Sequence, residues 1–413
     1  LKHGLHVYYC SEACQQRDWK VHKKTCGPKY DGTLDALDQS TLDDAEGPSS
    51  QSGSFGDFES TVLISISSGA DVNAVLPGSN YTLLQLASQK GSEELVRVLI
   101  AAGADVNKAT ICGLGLVTPM HLAAHSGHEA VIRALIAGGA DFNSADGFDG
   151  ATPLFVAAEE GCEAAARALI AAGAEIDKAT SCGKSPLIAA SNNGHTEIVR
   201  LLIAAGADIN HSDEDGVTAL SFVANKGLEA TARVLIDAGA DVNKATPCGQ
   251  SPLIAASING HAETVRLLIA AGADINHSVE NGVTTLAIAA GKGFEATARA
   301  LIDAGADVNK ATPCGQTPLS AAGHIGHTEM MRLLIAAGAD INYSDENGVT
   351  TLATAAAKGL EATVRFLIDA GADVNKASNR GITPLTAASY LNHDAVARML
   401  RDAGARLEAS TVM

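Results

Sequence analysis

The alternation of apolar and polar positions in residues 249–281 predicts two short helices followed by an extended segment. Ser251 is a natural N-cap, and Pro252 fits the first helical position, where no amide donor is needed. Ala255, Ala256 and Ser257 are small enough for close helix contact, and Gly260 ends this first helix. Val265, Leu268 and Ile269 stand at i, i+3 and i+4, the apolar stripe of a second helix. Gly272 then supplies a left-handed cap, and Asp274 to Asn281 run out as a finger towards the next unit.

The same pattern returns along the chain. Its cap glycines are Gly69, Gly103, Gly139, Gly173, Gly206, Gly239, Gly272, Gly305, Gly338, Gly371 and Gly404. The first steps are 34, 36 and 34 residues, and every later step is 33. A fixed period near 33 predicts stacked helical repeats. Three residues before each cap glycine stands an isoleucine, in ten copies from Ile66 to Ile368, with Arg401 in the eleventh. An aliphatic residue buried against a neighbouring unit explains the isoleucines, and a charged residue in the last copy is what an array end needs. From residue 174 the units also alternate with a 66-residue period. One type carries Lys178, Lys244 or Lys310 with Cys182, Cys248 or Cys314; the other has acidic fingers and Lys226, Lys292 or Lys358. Tandem duplication explains this alternation more simply than selection for a charge pattern.

These residues resemble the ankyrin family. Thr118-Pro119-Met120-His121-Leu122-Ala123-Ala124 is the nearest copy of its Thr-Pro-Leu-His signature, followed by Gly127-His128 and Gly139-Ala140-Asp141. The resemblance covers residues 60–408, ten fuller repeats after a degenerate half-repeat, and implies an all-α ankyrin-repeat solenoid. The signature histidine survives only at His121, and Ala219, Thr285 and Thr351 replace its proline, losses expected to weaken individual repeats.

Residues 8–26 follow a different logic. Cys10, Cys14, His22 and Cys26 give the pattern C-x3-C-x7-H-x3-C, thiolates and an imidazole at spacings suited to tetrahedral zinc. So small a module buries too little to fold without metal. With Tyr9, Ser11, Gln15, Asp18, Trp19 and Lys23, the segment resembles the second half of a MYND-type zinc finger. Such fingers cross-brace two zinc ions. The resemblance places the family's third and fourth cysteines at Leu1 and Gly4, and its first two upstream. The chain alone is therefore expected to bind zinc poorly; one improvised site of all four ligands is the alternative. By the same resemblance Gln15 and Trp19 contact proline-rich peptides, although Trp19 packing the small domain explains it equally well. The acidic, Ser/Gly-rich residues 27–58 read as a flexible linker between the finger (1–26) and the array (59–408), with a short tail at 409–413.

Composition sharpens this picture. The 413 residues carry a formal charge of −18 and are 46% hydrophobic but only 4% aromatic, which suits thin similar layers and offers no basic face for nucleic acid or anionic membrane. No apolar stretch is long enough to span a membrane. Three of the eight cysteines crowd the finger and five are dispersed, which fits an intracellular compartment, cytoplasmic or nuclear. The chain begins at Leu1 rather than Met and reads as a fragment or an incomplete gene model. Cysteines two repeats apart cannot meet, because packed helices are roughly 8–10 Å apart. His128, His195, His261 and His327 recur at one repeat position and read as architecture, and Glu159-Glu160 as a solvated face. No nucleotide-binding, nucleophile or zinc-protease motif appears, so no enzyme is expected.

The resemblance implies a monomeric array that binds other proteins through finger tips and the exposed ends of its first helices, on a concave face. Residue by residue, that surface takes in Gln89, Lys90, His125, Ser126, Glu159, Glu160, Asn192 and Asn193. It continues through Asn225, Lys226, Ile258, Asn259, Lys292, His324, Ile325, Lys358, Tyr390 and Leu391. Ile258, Ile325, Tyr390 and Leu391 are its apolar anchors. The expected function is a protein-interaction scaffold or adaptor, the alternative being the interaction region of a larger enzyme, for instance a methyltransferase with its catalytic domain upstream.

Overall fold

The computed structural model describes residues 71–76, 80–112 and 115–406. The zinc-finger segment 1–26, the linker 27–58, the tail 409–413, Ile66 and Gly69 lie outside the described residues. Ten helix pairs, in two compact units dividing between Asp215 and Gly216, make up the described fold. The first unit holds α1 (Leu83–Lys90), α2 (Glu93–Ala101), α3 (Pro119–His125), α4 (Glu129–Ala137), α5 (Pro153–Glu160), α6 (Glu163–Ala171), α7 (Pro186–Asn193) and α8 (Thr196–Ala204). The second holds α9 (Ala219–Lys226), α10 (Glu229–Asp237), α11 (Pro252–Ile258), α12 (Ala262–Ala270), α13 (Thr285–Lys292) and α14 (Glu295–Asp303). It continues with α15 (Pro318–Ile325), α16 (Thr328–Ala336), α17 (Thr351–Ala357), α18 (Glu361–Asp369), α19 (Pro384–Tyr390) and α20 (Asp394–Asp402). Within each unit, first helices pack on first helices and second on second. Among the described residues no helix is long and apolar enough to cross a membrane.

Each first helix starts where a Thr or Ser hydroxyl accepts the amide three residues on, as Ser251 does from Ile254. The cap persists where proline is absent: Thr218, Thr284 and Thr350 hold α9, α13 and α17, which begin at Ala219, Thr285 and Thr351. Cap chemistry, more than proline, sets these boundaries.

The stacking isoleucines need a correction. From Ile100 to Ile368 the described copies are only half-buried, whereas the preceding leucine, from Leu99 to Leu400, is fully buried in all ten pairs. A helix turns about 100° per residue, so the leucine enters the core while the isoleucine lies along its edge. There it meets the next repeat: a Cβ on Gly138 would lie 3.0 Å from Ile100 Cδ1. Burying each leucine contributes about 1.5–3 kcal/mol. Arg401, at the isoleucine position of the last described repeat, is exposed.

The Gly-Ala-Asp-x-Asn run, which marks the repeat spacing in the sequence, also ties the fingers together. Asn107 Oδ1 accepts from Asp141 N of the next repeat at 2.7 Å, and Asn309 does so from Asp340 N at 2.8 Å. Each aspartate in turn accepts from the asparagine amide two residues later, as in Asp105 to Asn107 at 2.9 Å. One finger departs from the helical theme. The 36-residue step between Gly103 and Gly139 is accommodated by an antiparallel hairpin, β1 (Thr110–Cys112) and β2 (Gly115–Val117).

Candidate interaction surface

The ends of the first helices are positioned by an interlock between a glycine and a ring. In α9 the chain turns at Gly227 with φ +69°, and a Cβ there would lie 2.5 Å from the ring of His261. His261 Nε2 reaches back to Asn225 O at 3.0 Å, the carbonyl left open at the end of α9. His195 makes the same contact to Glu159 O at 3.0 Å over Gly161, and His128 to Gln89 O at 3.1 Å over Gly91. The sequence reading placed these histidines in the architecture but missed His393, which covers Gly359 and bonds Ala357 O at 3.0 Å. The 66-residue period pointed to it.

Several polar residues predicted on the surface are also engaged from repeat to repeat. Asn193 donates to Glu159 O at 3.0 Å, Asn259 to Asn225 O at 3.0 Å, and Lys358 to His324 O at 2.9 Å. Lys90, Asn225, Lys226 and Lys292 are exposed, while Gln89, Ser126, Asn192 and Ile258 are half-buried. Among the positions predicted on this surface, the exposed apolar ones are Tyr390, 85% exposed, Ile325 at 51% and Leu391 at 47%.

Glu159 and Glu160 do not form a plain solvated face. Glu160 lies 3.5 Å from His125 Nδ1. Glu159 is half-buried, and burial, with repulsion from Glu160 and Asp149, pushes its carboxyl up to about 7. Adjacent helix positions do diverge, but one of the two turns inward between repeats. The signature histidine is buried: His121 Nδ1 meets Thr118 Oγ1 at 2.8 Å and Nε2 meets Ala151 O at 3.1 Å, and desolvation lowers its pKa.

Cys162, Cys182, Cys248 and Cys314 are free thiols. The last three each rest against the threonine two residues earlier, at 3.2, 3.0 and 3.1 Å. Among the described residues no group of three or more His, Cys, Asp or Glu could hold a metal ion. Cys10, Cys14, His22, Cys26, Gln15 and Trp19 lie outside the described residues. As a donor set, three thiolates and one imidazole match zinc.

A second exposed apolar feature escaped the sequence reading. Ile111 (73% exposed) and Leu116 (43%) are cross-strand partners on the β1–β2 hairpin. Gly147 packs against Leu116 and is followed by Phe148, 66% exposed. The lengthened finger was its visible signal.

Stacked, capped helix pairs with exposed first-helix ends and fingers define a helical-repeat protein built to present side chains to partners. The family model for ankyrin repeats (three copies) matches residues 52–146, 84–180, 154–246, 220–312, 286–378 and 319–411. The chain belongs to the ankyrin-repeat family. A MYND finger model matches residues 5–26, in the segment where a truncated finger was expected. Among curated proteins, no match to the chain is found. Ankyrin repeats and MYND fingers are protein-interaction modules, the ankyrin family is typically non-catalytic, and a MYND finger implies zinc.

Proposed function

We propose that this chain is a non-catalytic scaffold or adaptor that binds partner proteins through the exposed first-helix ends and fingers of its array. The observation that supports this most is the exposure of Ile325, Tyr390 and Leu391 at the ends of α15 and α19, in a row that is mostly polar. Aromatic and aliphatic anchors surrounded by polar side chains are the usual energetic centre of a protein interface. The test is cross-linking mass spectrometry of the chain with the proteins it captures. Cross-links should fall on the first-helix ends, and Tyr390→Ala should weaken capture about tenfold or more. Cross-links confined to the second-helix face would overturn the reading.

The finger serves as a second module, with Gln15 and Trp19 contacting peptides and Cys10, Cys14, His22 and Cys26 as zinc donors. Zinc content of the purified protein tests this: zinc that is unchanged in Cys10→Ser, or no zinc at all, would refute these donors.

A further inference from the structure

A cleft of about 220 Å³ opens in the second unit where the finger after α14 meets the finger after α16. Its walls include Ser320, His324, Tyr343, Asp345, Glu346 and Thr354. The chain carries its own control, because the tandem copy 66 residues earlier has Ile254, Ile258, His277, Val279, Glu280 and Ile288 at these places. Four apolar residues have thus become polar around one point. Ile254 is fully buried in its copy, whereas Ser320 is only half-buried. Ser320 and Thr354 carry less side-chain bulk than the two isoleucines at these places in the earlier copy.

The charged groups of the lining are carboxylates, set among side chains such as Gln316, Tyr343 and Asn347 that both donate and accept. Ser320 Oγ is spent locally, accepting from Thr317 N at 2.9 Å and donating to Thr317 O at 2.9 Å, so its contribution is space. His324 Nδ1 donates to Ser320 O at 3.1 Å, so in the neutral ring Nε2 is an acceptor. Asp345 Oδ1 accepts from Asn347 N at 2.9 Å and Val349 N at 2.8 Å, while Oδ2 is available. Glu346 adds a second carboxylate. Tyr343 replaces His277, whose Nε2 bonds Gly249 O at 3.0 Å in the earlier copy. No Lys or Arg lines the cleft. Nearby Lys358 is turned to His324 O at 2.9 Å.

We infer that this cleft accepts an arginine side chain of a partner polypeptide. The inference rests on the protein-binding reading above and specifies one contact of it. A guanidinium is planar, permanently charged and rich in donors, and it matches two carboxylates with neighbouring acceptors better than a compact ammonium does.

The test titrates the full chain with N-acetyl-arginine-amide, reading backbone amide shifts, with N-acetyl-norleucine-amide and N-acetyl-glutamate-amide as comparisons. Arginine amide should shift Asn347 and Thr354 and spare Asn281 and Ile288 of the earlier copy. Ser320→Ile with Thr354→Ile restores residues already packed 66 positions upstream, so it should fold and bind about tenfold more weakly or worse. Asp345→Asn keeps the turn acceptor and should also weaken binding. Equal shifts with norleucine amide, equal shifts in both copies, no shift at the cleft, or an unchanged response in the filled variant would each overturn the inference. If the cleft fails while Tyr390→Ala still lowers partner capture, the scaffold reading stands. Loss of both would remove the scaffold reading too.

Discussion

Replacing Gly227 by alanine tests the interlock that positions the first-helix ends. Two costs arise. An L-residue held at φ +69° costs roughly 1–2 kcal/mol against glycine. The new Cβ would lie 2.5 Å from the His261 ring, so the ring must move and its 3.0 Å bond to Asn225 O is strained or lost, about 1 kcal/mol more. The sum is about 2–3 kcal/mol. Since each repeat touches only its neighbours, the loss is local, and hydrogen exchange of α9–α12 amides under native conditions reads it, with α1–α4 amides as reference. In a His261→Ala background only the backbone cost survives. A double-mutant cycle should therefore give a coupling of about 1 kcal/mol. A cost of Gly227→Ala that is the same with and without the imidazole would refute the interlock.

Further outcomes follow from individual environments. Glu159 is raised from 4.5 to about 7 by burial, so the folded chain keeps its proton where the unfolded chain releases it, and stability falls as pH rises through that window. Glu159→Gln should match the parent at about pH 4 and exceed it by about 1–2 kcal/mol at about pH 8 in urea unfolding. His121 is held below its usual pKa by desolvation, so its environment costs stability as pH falls below 6.5. His121→Gln should keep neutral-pH stability and remove that acid sensitivity. Gln85 already fills the equivalent place, accepting from Thr82 N at 2.8 Å and donating to Val117 O at 2.6 Å. Asn392 adopts φ +59° where other repeats carry glycine, and Asn392→Gly should raise the stability of α19–α20 by up to about 1 kcal/mol, seen as slower amide exchange.

The loss of glycine at Asn392 shows how sequence and structure divide the work. Gly161, Gly227 and Gly359 each face the ring of the following repeat, which leaves no room for a Cβ. Asn392 belongs to the last described pair and can bear one. The period, the helix pairs, their caps and the family were all legible in the sequence. Capping, helix termination and amphipathic spacing act over three or four residues, and a repeated unit writes them many times over.

What the tertiary structure decided lies between repeats. It set Leu99 rather than Ile100 as the fully buried position, turned Glu159 inward, made asparagines into clasps and laid Leu116 of one finger against Gly147 of the next. It also opened the cleft at Ser320 and Thr354. These depend on contacts 30 or more residues apart, as in Asn107 to Asp141. Side-chain direction and the neighbour's shape fix them jointly, and a linear pattern carries only the first.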